Sequence, residues 1–232
     1  MPPSQTLSIT WLGHSAFSIR TPGGKTVLFD PWYTGNPRFP AGREPKSADL
    51  ILVSHGHSDH ITDAAATARQ TGATVVAIYE VTSWLGAKGA AHLQPMNKGG
   101  TIHTHGLRIT MTDARHSSSF DDGTYLGEAA GFIVGLENGQ TLYFAGDTSL
   151  FGDMKILAEL YRPDIAFLPI GDRFTMGPDT AAIAARWLGV KQVVPMHWGT
   201  FPLLTGTPEM LKTHLAGSGI DVLELQPGET SE

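Results

Sequence analysis

Three histidines and one aspartate fall within the six residues His55-Gly56-His57-Ser58-Asp59-His60. Imidazole nitrogen and carboxylate oxygen are donors that hold divalent transition metals. In an extended stretch His55 and His57 project to one side, since side chains alternate along it, and two rings so placed can close on one cation. Asp59 and His60 stand further round the bend, where they can serve a second. The chain has no cysteine, so any metal must be held by nitrogen and oxygen, and neither a thiol nucleophile nor a disulfide framework exists. Isolated loop histidines are commonly solvated or bonded to backbone, but that does not account for so dense a set of donors.

The surrounding elements show how this stretch would be held. Leu50-Ile51-Leu52-Val53 is a short apolar run that reads as a buried strand, and the alanine-rich segment from Ile61 to about Gln70 reads as a helix. The donors therefore occupy a loop that leaves a strand and enters a helix, whose amino end favours negative charge. Upstream, runs at 7–12, 16–19 and 26–29 separated by tight turns predict an antiparallel meander. Residues 32–46 then form a long irregular loop, with Pro37, Pro40 and Pro45 inside it and Pro31 just before. Trp32 and Tyr33 at its start are candidates to wall a pocket. Further strands are expected at 74–78, 101–112, 132–136, 141–144, 165–168, 193–194 and 220–225, with helices at 80–87, 154–161, 180–188 and 208–215.

His116, Asp147 and His197 each lie just past one of these strands, and Gly146 leaves the backbone beside Asp147 bare. Metal-binding residue types at the ends of separate strands suggest convergence on one rim. His14, which follows Gly13 at a strand end, can hydrogen-bond a substrate or cap its own turn. His103 and His105 repeat the H-x-H spacing, but inside a strand and with no Asp-His pair after them; His92 and His214 read as surface residues.

The chain has 232 residues, 41% of them hydrophobic and 16% charged, which suits one large globular domain. It contains no long apolar run, and its first six residues lack a basic n-region and an apolar h-region, so a cytoplasmic location away from membranes is expected. A formal net charge of −6 counts against long nucleic acids as partners. It leaves room for an anionic small molecule, since two divalent cations would reverse the local field. The order of elements recurs along the chain. It reads as a single domain spanning 1–232, built from two halves at roughly 1–112 and 113–232, with two mixed sheets face to face and helices outside.

Asp30 in Phe-Asp-Pro-Trp, His55-x-His57-x-Asp59-His60, His116, Asp147 in Gly-Asp-Thr and His197 together resemble the motifs of the metallo-β-lactamase superfamily. Trp11-Leu12-Gly13-His14-Ser15, Ala114-Arg115-His116-Ser117-Ser118-Ser119, Pro169-Ile170-Gly171-Asp172 and Pro195-Met196-His197-Trp198-Gly199-Thr200 are similar to its UPF0173 family of metal-dependent hydrolases, which is related to the L-ascorbate-6-phosphate lactonases. The resemblance implies an α/β (α+β) fold, the four-layer αββα sandwich. It also implies that His55, His57 and His116 hold one metal, that Asp59, His60 and His197 hold a second, that Asp147 bridges them, and that Asp30 braces the ligand loop without binding metal.

Two such cations lower the pKa of a shared water towards about 7 and polarise the substrate. Hydrolysis of a small ester or lactone is therefore the expected reaction, with Asp59 orienting the nucleophile and His14 as a second candidate catalytic residue. A small phosphodiester is the alternative substrate. A di-iron redox protein and a non-catalytic metal scaffold are the readings from other classes, and the loop lacks the glutamate that di-iron relatives use. Zinc is the expected metal, with manganese, iron(II) or nickel compatible. Asp172, Thr175, Met176 and Thr200 are candidates to face the substrate, though Thr175 can equally cap a helix and Met176 can equally pack. Trp198 and Phe201 are candidates for contacts in a homo-oligomer.

Overall fold

The computed structural model describes residues 6–231; residues 1–5, which carry most of the opening read as lacking a secretory signal, lie outside the described residues. The first sheet begins as an antiparallel meander of β1 (Ser8–Trp11), β2 (Phe17–Arg20) and β3 (Thr26–Phe29), then continues in parallel through β4 (Leu50–Leu52), β5 (Thr74–Ile78) and β6 (Leu93–Met96). Its crossovers carry α1 (Ser58–Ile61), α2 (Ala64–Thr71) and α3 (Tyr79–Ala87). The second sheet repeats the plan. An antiparallel run of β7 (Thr101–Thr104), β8 (Leu107–Asp113), β9 (Ala130–Gly135) and β10 (Thr141–Phe144) is followed by parallel β11 (Ile165–Pro169), β12 (Gln192–Met196) and β13 (Asp221–Val222). Helices α4 (Met154–Tyr161), α5 (Pro178–Leu188) and α6 (Pro208–Leu215) connect its later strands, and β14 (Thr230–Ser231) returns to pair with β1.

Burial follows from these layers. β4, β10 and β11 are buried at every residue, as strands covered by a helix layer on one face and the other sheet on the opposite face must be. β1 alternates between half-buried and buried residues, so one of its faces is less covered. The sheets meet through aromatic rings: Phe29 stacks on Phe144 at 4.4 Å and Phe17 meets Phe167 edge-on at 5.0 Å. The result is the expected pair of mixed sheets with helices outside.

Several details differ from the sequence reading. The run 101–112 is not one strand, because His105 (φ 53°) and Gly106 (φ 82°) turn it into the β7–β8 hairpin. Two successive left-handed residues form the turn that matches strand twist. Both hairpin strands join the second sheet, so the division between the halves falls between β6 and β7 rather than at residue 112. β6 carries Pro95 and is tolerated as an edge strand. The helix expected from Ile61 is broken: the Asp63 amide donates to the carbonyl of Pro31, and its carboxylate accepts from the Tyr33 and Thr34 amides and the Thr34 hydroxyl. Asp59 and His60 therefore sit inside the single turn of α1, too short to present a helix-end charge to an anion.

Candidate metal centre

Within each sheet, the donor-bearing loops leave strands that run the same way. β3 and β4 are parallel, β10, β11 and β12 are parallel, and β8 is antiparallel to β9, which is antiparallel to β10. The loops after β3, β4, β8, β10 and β12 consequently emerge on one rim, bringing Asp30, the 55–60 stretch, His116, Asp147 and His197 together.

Asp30 sets the orientation of two rings. It is fully buried in a left-handed conformation (φ 42°). One carboxylate oxygen accepts the Ser54 amide at 2.7 Å, and the other accepts the Ser54 hydroxyl at 2.6 Å and faces His60 Nδ1 at 2.7 Å. A carboxylate oxygen only accepts, so His60 carries a proton on Nδ1 and turns Nε2 to the centre. The Ser54 hydroxyl gives its one proton to Asp30 and therefore accepts from His55 Nδ1 at 2.9 Å, which leaves Nε2 of the neutral His55 ring bare. Burial pushes the Asp30 carboxyl up, while the His60 and Ser54 contacts pull it down.

The potential ligands form three overlapping groups. Donor atoms of His55, His57 and His116 lie within 4.8 Å of one another, as do those of His14, Asp59, His60 and His197, and those of Asp30, His55 and His60. His55 Nε2 faces His57 Nδ1 at 3.1 Å, and the outer nitrogen of His57 is 3.3 Å from the Ser117 hydroxyl. Asp147 reaches across the first two groups: its Oδ2 is 2.9 Å from His197 Nε2, 3.4 Å from His60 Nε2 and 3.6 Å from His116 Nε2. His60 Nε2 and Asp147 Oδ1 are buried without a hydrogen-bond partner. Buried polar atoms are rarely left so, and converging lone pairs from nitrogen and carboxylate fit a divalent cation.

Charges follow the same geometry. Burial alone would lower the His60 pKa, but Asp147 and Asp59 outweigh it and hold it well above the usual histidine value, so a cation binding at His60 Nε2 would displace a proton from that nitrogen. The Asp147 carboxyl is held well below its ordinary range despite burial, by His197 and His60. His55, His57 and His116 are all lowered, first by burial. Burial and then the neighbouring His197 push His14 down to about 3, so its ring is neutral and has one N–H. That proton goes to Asp59 Oδ2, 3.0 Å from His14 Nε2, and Nδ1 then accepts from the Thr200 hydroxyl at 2.8 Å. Asp59 is depressed: burial would raise it, but His60 and the His14 hydrogen bond prevail.

Close packing holds the loops. A Cβ on Gly56 would lie 2.5 Å from Leu126, and the Gly56 amide donates to Ser118 Oγ at 3.0 Å. A Cβ on Gly146, whose φ is 62°, would lie 2.6 Å from the Ala130 carbonyl oxygen. Trp198 stacks on Trp11 at 5.1 Å within the same chain, with the Arg38 guanidinium 5.4 Å from its ring.

A pocket of about 280 Å³ opens over the centre, lined by His57, Asp59, His116, Ser117, Asp147, Phe174, His197 and Phe201. Of the residues expected to face substrate, Thr200 is buried behind His14, Met176 is buried in the core, and Thr175 bonds to the Met176 carbonyl. Asp172 is exposed and does not line the pocket; Phe174 from the same loop does. Trp32 packs edge-on to His14 at 5.2 Å and Tyr33 turns to Phe39, so neither walls the pocket. Among the described residues, no group of three or more potential ligands includes His103 or His105. His92 and His214 are exposed. Sequence reasoning passed over Ser54, Ser117 and Phe174; the first two adjoin ligand histidines, and that adjacency was the available signal.

A family model described as Beta-lactamase superfamily domain matches residues 25–198. A UPF0173 metal-dependent hydrolase of Rubrobacter xylanophilus is 50% identical over 228 residues, covering 95% of this chain and 94% of the relative. Among solved structures, Igni18, a metallo hydrolase from Ignicoccus hospitalis, matches with a TM-score of 0.88 at 36% identity over 98% of both chains. An isothiocyanate hydrolase from Delia radicum gut bacteria matches with a TM-score of 0.73 at 20% identity, over 97% of this chain and 98% of that one, a likeness of fold alone.

Proposed function

The chain belongs to the UPF0173 family of metal-dependent hydrolases, within the metallo-β-lactamase superfamily, and from that premise we propose that it cleaves a small ester or lactone at a dinuclear centre. The observation carrying this reading is that Asp147 Oδ2 stands between His116 of one donor group and His60 and His197 of another. His55, His57 and His116 would hold one cation, and Asp59, His60 and His197 the other, with Asp147 shared. Zinc is the expected metal. Bound there, the pair would supply a water of pKa near 7 and a Lewis acid for the substrate oxygen.

The chain's own groups do the rest. Asp30 and Ser54 keep the protons of His60 and His55 on the nitrogens that face away from the centre. His14 fixes Asp59 through Oδ2, so that its carboxylate would orient the attacking water. Thr200 holds the His14 ring from behind. His14 is thus a positioning residue, and Asp59 the residue in contact with the reacting water. Among the described residues, no lysine or arginine lines the pocket to share the charge of a phosphodiester with the cations, which favours the carboxylic substrate. The pocket's size suits a small molecule. Among the described residues, no helix is long and apolar enough to cross a membrane.

The test is turnover by zinc- or manganese-reconstituted protein on a panel of lactones and aryl esters beside bis-p-nitrophenyl phosphate. Cleavage of the first set, lost in Asp147→Ala, supports the proposal. Cleavage of the phosphodiester alone would replace it with a phosphodiesterase, and metal binding without any turnover would leave a scaffold.

A further inference from the structure

Two exposed aromatic side chains stand at the mouth of the pocket. Phe174 is 51% exposed and Phe201 36% exposed, and both line the cavity over His57, Asp59 and His197. Scattered exposed rings are ordinary on a protein surface, but these two line one cavity with the ligand side chains and give it an apolar wall. From these two rings, and resting on the hydrolase reading above, we infer that the substrate carries an uncharged apolar group, acyl chain or aryl ring, on the part of the molecule that does not react, and that Phe174 and Phe201 select for it.

The backbone indicates that Phe174 is placed rather than incidental. It follows Asp172 (φ 66°) and Arg173 (φ 54°), two consecutive non-glycine residues in the left-handed region. Such a conformation persists only where the surroundings impose it, and it collects at ligand-contacting sites. Here the surroundings are visible. The Asp172 amide donates to the Met176 carbonyl at 3.0 Å, and the Met176 amide donates to the carbonyl of Thr148, next to Asp147. A Cβ on Gly171 would lie 2.1 Å from the His197 carbonyl oxygen, so this loop is wedged against a ligand-bearing one. Phe201 is fixed from the other side, edge-on to His14 at 5.6 Å and 6.0 Å from the Trp32 ring. The two rings are thus tied to the loops that carry Asp147, His197 and His14, and a group seated between them is positioned relative to the reacting bond.

The remaining lining argues against an anionic substituent. Among the described residues it holds no lysine or arginine, and the Arg173 guanidinium lies 5.7 Å from the Phe174 ring, outside the pocket lining. A carboxylate or phosphate group at the mouth would lose water without gaining a cationic partner, whereas each methylene placed against the two rings is removed from water at a gain.

The experiment compares kcat/KM of the metal-loaded protein for 4-nitrophenyl acetate, butyrate and hexanoate, and for 4-nitrophenyl hemisuccinate, which matches butyrate in length but ends in a charge. The expected result is a rise of roughly tenfold or more from acetate to hexanoate, with butyrate preferred over hemisuccinate. In Phe174→Ala and Phe201→Ala the hexanoate-to-acetate ratio falls by about fivefold, and Phe174→Leu restores most of it. Circular dichroism and metal content, compared with the parent, separate this from misfolding.

A flat chain-length series, or a preference for hemisuccinate, in a protein that does turn these esters over would overturn the inference while leaving the hydrolase reading intact. Loss of a dimer in the alanine variants with an unchanged ratio would also overturn it, reassigning the rings to a contact between copies. Failure to turn over any ester or lactone would instead remove the proposed function itself.

Discussion

Replacing Asp30 by asparagine changes one oxygen to an NH2 group at nearly constant volume. The backbone does not oppose it, since asparagine tolerates the left-handed conformation (φ 42°) that Asp30 adopts. The chemistry does. Both carboxylate oxygens accept, one from the Ser54 amide and the other from the Ser54 hydroxyl and His60 Nδ1. An asparagine can keep its oxygen on the Ser54 amide, but its NH2 then meets two donors. His60 must flip its proton to Nε2, the atom that faces Asp147 at 3.4 Å, and Ser54 must turn away from its acceptor and loosen its hold on His55. Loss of such an outer partner typically costs about 10- to 100-fold in metal affinity, or about 1.4–2.7 kcal/mol. Global stability moves less, because removing a buried charge offsets part of the lost ionic hydrogen bonds, worth about 1.5–3 kcal/mol each. The assay is competition for zinc between the protein and a chelating indicator, for parent and variant, alongside urea unfolding. An Asp30→Asn protein that folds and binds zinc within twofold of the parent would refute the assignment of ring orientation to Asp30.

His14→Ala should lower kcat by about ten- to a hundredfold with KM little changed, because the orientation of Asp59 is lost, and should weaken zinc binding no more than Asp30→Asn does; steady-state kinetics at saturating zinc with the same indicator competition checks this. Gly56→Ala should cost about 1–3 kcal/mol in urea unfolding, since the new methyl meets Leu126 at 2.5 Å. Ser117→Ala should weaken metal binding less than Asp30→Asn does, as its hydroxyl touches one ring at 3.3 Å; the same indicator competition ranks the two. Burial would raise the Asp49 carboxyl, but the Thr26 amide and Lys25 ammonium outweigh it and hold it below its ordinary value. A depressed acid contributes stability that is present above its unfolded pKa, near 3.8, and is lost as pH falls through the folded value. Asp49→Asn should therefore flatten the decline of the urea midpoint between about pH 5 and pH 3.

The donor loop is legible in sequence because four potential ligands stand within six residues, and the strands around it are legible because their apolar runs are short and bounded by turns. Asp30 is different. Its role depends on β3 and β4 lying parallel with Phe29 opposite Leu52, which brings the residue after one strand beside Ser54 after the other. A serine before a histidine says nothing of this by itself. The β7–β8 turn is hidden because His105-Gly106 interrupts a run rich in strand formers, and the break between α1 and α2 because Asp63 bonds to a loop some thirty residues away in sequence. Phe174 is hidden for a similar reason: no glycine marks the left-handed pair at Asp172 and Arg173, so sequence points to the polar residues of that loop while the fold turns a phenylalanine to the pocket.

The central claim is that the seven donors form two cation sites sharing one carboxylate, and anomalous diffraction from crystals grown with zinc addresses it directly. Two peaks are expected. One should lie about 2.0–2.1 Å from nitrogens of His55, His57 and His116 and the other at similar distance from His60 and His197, with Asp147 reaching both. A single peak, or peaks away from Asp147, would contradict it.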